Sequence, residues 1–370
     1  MTIHCLHLHA GNLFGGVERI LTTLVAGENR VPGLRSSFGL AYEGRVRDEL
    51  ASLGATVTVL GGARLSRPWT VWSARRRAGQ LLDRHRPNLV LCHSDWSQAI
   101  YGPPVRRRGV PLVRWLHAPP TGRHWLERWA RRAPPDLTIC NSRFTQQALE
   151  ALENGPPSEI VHPPVPAPAP TPEDRQRVRA ALGASNHTTV ILQVGRMEAG
   201  KGHPVLLDAL GRLRERRDWM AWQVGGAQRD REASYVGSLG LRTLSLGLVD
   251  RVRFLGERRD MAAIFSAADI YCQPNIAPES FGITFVEALY AGLPVVTTKL
   301  GGAAEIVDET CGLLLSKADA GALAVALERL LDEPGLRGRL AAAGPARARR
   351  LCDPDQQVAR LAACLTRVAK

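Results

Sequence analysis

Residues 195–202 read GRMEAGKG, one letter from G-x-x-x-x-G-K-[ST], the loop that cradles ATP or GTP phosphates in nucleotide hydrolases. An apolar run (residues 189–194) precedes the segment and a helix-like run (residues 205–213) follows it, which is the strand–loop–helix setting a phosphate loop needs. In those hydrolases the eighth position supplies a Ser or Thr hydroxyl to magnesium, and Gly202 has no side chain to offer. The loop therefore reads as a phosphate binder but a poor magnesium–ATP cradle.

A second stretch, PESFGITFVEAL at residues 278–289, follows another apolar run. Phe281, Phe285 and Leu289 recur four apart, which predicts a helix starting near Ser280. Ser280 would cap it, and Gly282 removes side-chain bulk from the first turn. Free amides and the helix dipole make such a turn a candidate diphosphate site. Glu279 and Glu287, seven residues between them, bracket it. Carboxylates accept hydroxyl hydrogen bonds in pairs, which suits a sugar or ribose diol. Taken singly, Glu287 reads as a solvated helix acid and Glu279 as a loop acid.

In the first half, Gly15 and Gly16 follow the first strand candidate and permit close backbone approach to a phosphate or an acceptor. Glu18 beside them reads as a first-turn helix acid. His117 closes a strand candidate, and His93, Asp95, Asn141 and Ser142 stand at other strand ends. Asp353-Pro354-Asp355 is the one Asp-x-Asp in the chain, and it reads as the start of a helix rather than a metal site. No Ser-His-Asp set, no His/Cys metal cluster and no G-x-G-x-x-G after a strand competes with these residues.

The elements that must position them alternate. Strand candidates lie near residues 3–9, 37–42, 56–60, 89–93, 112–117 and 137–141, then near 189–194, 221–224, 252–255, 270–273, 294–297 and 312–315. Helix-periodic segments separate them, which predicts α/β architecture with parallel sheets. HPPVPAPAPTPED, residues 162–174, is too proline-dense for a sheet or helix interior and acts as a semi-rigid connector. Two Rossmann-like domains follow, residues 1–165 and 166–351, with the ligand in the cleft beyond the carboxyl ends of the strands.

A chain of 370 residues with 45% hydrophobic and 22% charged residues is long enough for two globular cores. The N-terminus lacks a signal-peptide pattern, and no apolar run approaches the roughly 20 residues of a spanning helix. Seven cysteines without close pairs make no disulfide framework; Cys5, Cys92, Cys140 and Cys272 read as inert strand residues of a reducing cytoplasm. The net charge of +13 is concentrated in residues 61–132, which hold 15 Arg against Asp83, Asp95 and Glu127. Trp69, Trp72, Trp96, Trp115, Trp125 and Trp129, six of the eight Trp, fall there too. Arg interleaved with Trp suits an anionic membrane surface; the competing reading is Arg-rich composition around core Trp. No nucleic-acid motif accompanies the charge, so nucleic acid is set aside. The matching location is cytoplasmic, with peripheral attachment to the inner membrane face as the extension.

The spacing of Glu279 and Glu287 inside PESFGITFVEALYAGLPVV resembles the signature of the retaining glycosyltransferase family 4, of GT-B fold. VGRMEAGKG (194–202) is similar to that family's V-G-R…K-G segment, and GGVER (15–19) to its G-G-x-E-R turn. Leu116-His117, ICNS (139–142), VRFLG (252–256) and Gly301-Gly302 through Val307 fit the same order, so the likeness spans almost the whole chain. It implies a GT-B fold of two Rossmann-like domains, an acceptor domain (1–165, completed by a helix over 352–370) and a donor domain (166–351). It implies transfer of a hexose-type sugar from a nucleoside diphosphate sugar, UDP- or GDP-linked first, to an acceptor hydroxyl with retention at the anomeric carbon. Arg196 and Lys201 would neutralise the departing diphosphate in place of a metal, so that no cofactor is required. Glu279 would hold the donor sugar's hydroxyls and Glu287 the ribose. The backbone of Phe281, Gly282, Ile283 and Thr284 would meet the diphosphate, residues 257–259 would lie near the base, and His117 would touch the transferred sugar. The acceptor is unnamed, with lipid-linked hydroxyls as candidates. Three rivals stay open: a sugar-nucleotide epimerase or hydrolase on the same fold, a non-catalytic sugar-nucleotide or membrane-binding protein, and the phosphate-loop hydrolase.

Overall fold

The alternation resolves into two parallel sheets, each inside its own unit: Met1–Pro166 with Cys352–Lys370, and Ala167–Leu351. The computed structural model describes residues 2–12, 15–28, 30–31, 33–152, 155, 157–227 and 230–369, without the side chains of Asp230 and Arg231.

The first unit runs β1 (Ile3–His9), α1 (Gly16–Glu28), β2 (Leu34–Leu40), α2 (Arg45–Ser52), β3 (Thr56–Val59), α3 (Pro68–His85), β4 (Leu89–Cys92), α4 (Asp95–Arg107), β5 (Leu112–Leu116), α5 (Trp125–Ala130), β6 (Leu137–Cys140), α6 (Arg143–Glu150) and β7 (Ser158–Ile160). Strand order is β3-β2-β1-β4-β5-β6-β7, with parallel neighbours throughout. Strands buried on both faces are expected to be continuously apolar, and β4 (LVLC) obeys. The strands β1 and β2 break that rule, burying His7, His9, Ser36 and Ser37. β2 starts at Leu34, earlier than the sequence suggests, because its Arg-Ser-Ser segment lacks an apolar run. The edge strand β7 was not expected at all: Ser-Glu-Ile carries no strand signal, and it forms by pairing with β6.

The second unit continues with α7 (Asp174–Ala181), β8 (Thr189–Val194), a 3-10 turn (Ala199–Lys201), α8 (His203–Arg212), β9 (Trp219–Val224), α9 (Asp230–Ser245), β10 (Val252–Phe254), α10 (Met261–Ala267), β11 (Ile270–Gln273), α11 (Ile283–Tyr290), β12 (Val295–Thr298), α12 (Ala303–Ile306), β13 (Gly312–Leu315), α13 (Ala320–Asp332) and α14 (Pro334–Cys352). Its order is β10-β9-β8-β11-β12-β13, again parallel. Trp219, Leu206, Leu210, Ile270 and Leu327 belong to its core, each burial of this kind contributing about 1.5–3 kcal/mol. After α14 the chain returns to the first unit as α15 (Pro354–Thr366), packed on α1. Val165 N donates to Cys352 O (2.9 Å), and Arg367 pairs with Glu159 (2.5 Å).

The order of strands reverses between β1 and β4 in one sheet and between β8 and β11 in the other. Such switch points open a crevice beyond the strand ends, and the loops after these strands carry the candidate residues. All seven cysteines are free and buried. Burial pushes the Cys92 and Cys140 thiols up to about 12, which leaves them inert at neutral pH. Among the described residues no helix is long and apolar enough to cross a membrane.

Candidate functional site

In the second unit, the loop after β8 carries Arg196 and Lys201 and is held by its own backbone. Gln193 Nε2 donates to Lys201 O (2.9 Å), and Ile276 N donates to Gly200 O (3.0 Å). The Lys201 ammonium meets the Glu279 carboxylate, and Arg196 Nη2 pairs with Glu198 Oε1 at 2.6 Å. Both loop cations are thus matched by carboxylates, and Lys201 joins the two sequence motifs directly. Gly202 sits at φ 71°, and a Cβ there would lie 1.8 Å from the Pro274 carbonyl oxygen. Serine or threonine has no room at this position, so the missing hydroxyl of the phosphate loop is enforced by backbone contact.

The helix α11 begins at Ile283, three residues later than expected, and its cap is Gly282 at φ 106° rather than Ser280. A left-handed residue ends the preceding chain, and only glycine adopts it without strain. Gly282 has no side chain with which to cap α11, and Phe285 N closes onto Gly282 O (3.1 Å), so the anion capacity of the first turn falls to the Ile283 and Thr284 amides. Phe281 is turned into the core, which leaves its backbone for the site. The Thr284 hydroxyl accepts from Tyr271 OH (2.9 Å), and the same Tyr271 also reaches Val194 O (3.1 Å). Tyr271 ties the ends of β8 and β11 to the first turn of α11, a brace that sequence reasoning missed because buried Tyr looks like core.

Glu279 is fixed by its backbone. It forms an isolated bridge with Gly301, and Gly302 N donates to Glu279 O at 2.7 Å. A Cβ on Gly302 would come within 2.6 Å of Ser280 O, so the glycine pair after β12 is what lets this loop close. Glu287 is only 3% exposed, which overturns its reading as a solvated helix acid. The loop at residues 257–259 packs through Glu257 on Gly226, while Arg258 is turned onto Asp260 at 2.7 Å.

In the first unit, Gly15 N donates to Glu18 Oε2 (2.8 Å) and His9 Nε2 meets Glu18 Oε1 (2.8 Å). Glu18 is therefore the expected first-turn acid, and it also ties the Gly15–Gly16 turn to β1. Ser142 caps α6 through Thr145 N (3.0 Å), and Asn141 Nδ2 donates to His117 O (3.2 Å). Asp95 stands 3.9 Å from the buried Arg114. These three organise strand ends. Asp353 caps α15 through Gln356 N (3.0 Å) and Asp355 pairs with Arg30 (2.8 Å), as a helix-start reading requires.

His117 Nε2 faces His93 Nδ1 at 3.1 Å, and burial lowers His117 to about 3. His7 is likewise lowered to about 3 and His93 is held well below its ordinary value, in each case chiefly by desolvation. Unfolded, each binds a proton near pH 6.5; folded, none does until far lower. Their contribution to stability is present above pH 6.5 and is lost as pH falls toward 3. Glu28, held above the usual carboxylate range by burial, opposes this with at most one proton. Thermal denaturation is expected to shift down steadily from pH 7 to pH 5, a window above most carboxylate titration. A flat midpoint across that window would show that the folded histidines are charged.

Residues 174–347 match the family described as Glycosyl transferases group 1, and residues 14–167 match Glycosyltransferase Family 4. The chain is 41% identical over 164 residues to a phosphatidyl-myo-inositol mannosyltransferase of Mycobacterium leprae, covering 43% of this chain and 42% of that one. It is 34% identical over 202 residues to a D-inositol 3-phosphate glycosyltransferase of Mycobacterium sp. strain KMS, covering 53% and 45%. The matched stretches span less than half the length of these curated relatives. Anabaena HepE in complex with UDP-glucose superposes with a TM-score of 0.84 at 25% identity, over 98% of this chain and 100% of that one. Matched in both units and sharing this two-sheet architecture, the chain belongs to the family 4 glycosyltransferases of GT-B fold.

Proposed function

We propose that this chain is a retaining, metal-independent glycosyltransferase that moves a sugar from a nucleoside diphosphate sugar to an acceptor hydroxyl. The observation that carries the reading is the meeting of Lys201 with Glu279 beside the uncapped start of α11. A cation, a diol-binding carboxylate and free amides at one switch point are the parts a sugar diphosphate needs. Arg196 and Lys201 offset the charge that grows on the departing diphosphate, and Glu287 binds the ribose. UDP-glucose in HepE supports a nucleotide-sugar donor, and the relatives' names point to acceptors bearing inositol phosphate.

A donor panel of UDP-, GDP-, ADP- and dTDP-sugars tests this by thermal shift, since a ligand that binds only the folded state raises the midpoint. One member is expected to stabilise and to be consumed only when an acceptor is present, with the anomeric configuration kept in the NMR spectrum of the product. Inversion, or consumption of donor alone, would sink the retaining-transfer reading in favour of another mechanism or an epimerase or hydrolase.

The acceptor is proposed to sit at an anionic membrane surface. Trp69, Trp72 and Trp125 are exposed while Trp115 is buried, so the six Trp of this region divide between surface and core. A groove of about 720 Å³ lies between α3, α4 and α5, lined by Trp72, Arg75, Arg76, Arg107 and Trp129. The Arg76 guanidinium stands over the Trp72 ring at 5.8 Å. Co-sedimentation with anionic vesicles, lost on Trp69→Ala with Trp72→Ala, is expected; equal binding to zwitterionic vesicles would refute the electrostatic part.

A further inference from the structure

Outside the residues assigned to the donor, a connected row of polar side chains crosses the first sheet. His7 Nδ1 lies 2.9 Å from His93 Nε2, and His93 Nδ1 lies 3.1 Å from His117 Nε2. At the other end His7 Nε2 lies 3.0 Å from Ser36 Oγ, and Ser36 neighbours the carboxyl group of Glu28 at the end of α1. The row follows the strand order β2-β1-β4-β5. Its rings are nearly coplanar, tilted by 14° and 13°, with centroids 5.2 and 5.4 Å apart. Such centroid spacings arise when the facing nitrogens lie on the line between ring centres, so each contact is an in-line hydrogen bond rather than a face-to-face stack. Phe38 against His7 and Trp115 against His93 and His117 wall the row, and His9, held by Glu18, stands edge-on to His93. The nitrogens point at one another and do not converge, and among the described residues no three His, Cys, Asp or Glu could hold a metal ion.

Every ring contact joins a δ nitrogen to an ε nitrogen and needs one proton. A neutral imidazole has one N–H and one lone pair, so the tautomer of any ring dictates the other two. All three carry the proton on Nδ1, or all three on Nε2. The ends of the row choose between these. Ser36 Oγ can accept from His7 Nε2–H while its own O–H stays available to the neighbouring Glu28 carboxyl group. His117 Nδ1, at the opposite end, is buried with no hydrogen-bond partner among the described residues, and a bare acceptor is tolerated there better than an orphaned N–H. Both ends favour the Nε2–H form.

We propose that His117, His93, His7 and Ser36 form one tautomer-locked wire, directed from His117 toward Ser36. His93, His7 and Ser36 are positioning residues: they hold the His117 ring and leave its Nδ1 as a lone-pair acceptor. Burial keeps the rings neutral, which the wire requires. Only the catalytic consequence rests on His117 acting in sugar transfer; the wire is a property of the free protein.

Long-range proton–nitrogen NMR on the ¹⁵N-labelled full chain at neutral pH reads each tautomer. His7, His93 and His117 are expected to be neutral and all protonated on Nε2. A mixed set, or one protonated ring, overturns the proposal. Ser36→Ala is expected to shift the His117 nitrogen signals two rings away, with Ser36→Thr restoring them; unchanged His117 signals in Ser36→Ala also overturn it. Under saturating substrates Ser36→Ala should lower kcat by roughly three- to tenfold with donor KM unchanged. If Ser36→Ala does not fold, the wild-type spectrum decides alone. If the wild type transfers no sugar, the spectrum still stands and the failure belongs to the functional reading.

Discussion

Gly202→Ser, the substitution that completes the phosphate-loop pattern, is expected to lower kcat/KM for sugar transfer at least about a hundredfold and to confer no ATP hydrolysis. Left-handed backbone costs a non-glycine residue roughly 1–2 kcal/mol by itself. The larger effect is contact, because the new Cβ would stand 1.8 Å from the Pro274 oxygen and 2.7 Å from its carbonyl carbon. The loop after β8 must then separate from the end of β11, which carries Lys201 away from Glu279. Displacement of about 1 Å in a site of this kind can cost two orders of magnitude. Thermal unfolding should also come earlier, by roughly 5–10 °C for a unit of this size. Gly202→Ala is the control: it adds the clash without the hydroxyl and should behave alike. A serine variant that unfolds at the wild-type temperature and hydrolyses ATP with magnesium would overturn the steric account and revive the phosphate-loop hydrolase.

Lys201→Ala should reduce kcat/KM by about 10²–10³ while leaving the fold intact. Two effects add in this variant. On the proposed reading the cation that faces the departing diphosphate is lost, and Glu279, whose side chain is only 15% exposed, loses its ion-pair partner. A carboxylate freed beside the start of α11 then competes with the phosphates for the same amides. Arg196→Ala should cost less, roughly ten- to a hundredfold, because the Arg196 side chain is 43% exposed and its charge is screened. Lys201→Arg should recover part of the loss, as a cation of different shape. Steady-state kinetics with the donor identified by thermal shift measures all three. Wild-type kcat/KM in Lys201→Ala would show that the diphosphate is neutralised elsewhere.

Strand positions and the pairing of motifs with strand ends were legible because parallel strands buried on both faces are short apolar runs between periodic segments. What the pattern could not show was set by backbone conformation and by polar burial. The start of α11 was misplaced because an apolar stripe continues backward through Phe281 while Gly282 breaks the helix at φ 106°. Glu287 looked like a solvated acid because nothing local distinguishes a buried helix carboxylate from an exposed one. His117 was legible as a strand-end residue, but its coupling to His93 and His7 was not. Pairing across β1, β4 and β5 depends on register, which one sequence does not reveal. A signal did exist: His7 and His9 alternate within the first strand, where a buried parallel strand should be apolar, and Ser36 and Ser37 interrupt the next.

The placement of α15 has a consequence for biosynthesis. Residues 167–351 form their unit from one uninterrupted stretch, whereas the first unit needs residues from both ends of the chain. Domains fold as units when their last element leaves the ribosome. The second unit is therefore released complete while α1 still lacks its partner helix, and the first unit to be started is the last to be finished. A transcript cut after Leu351 would encode the whole second unit and an N-terminal sheet without α15.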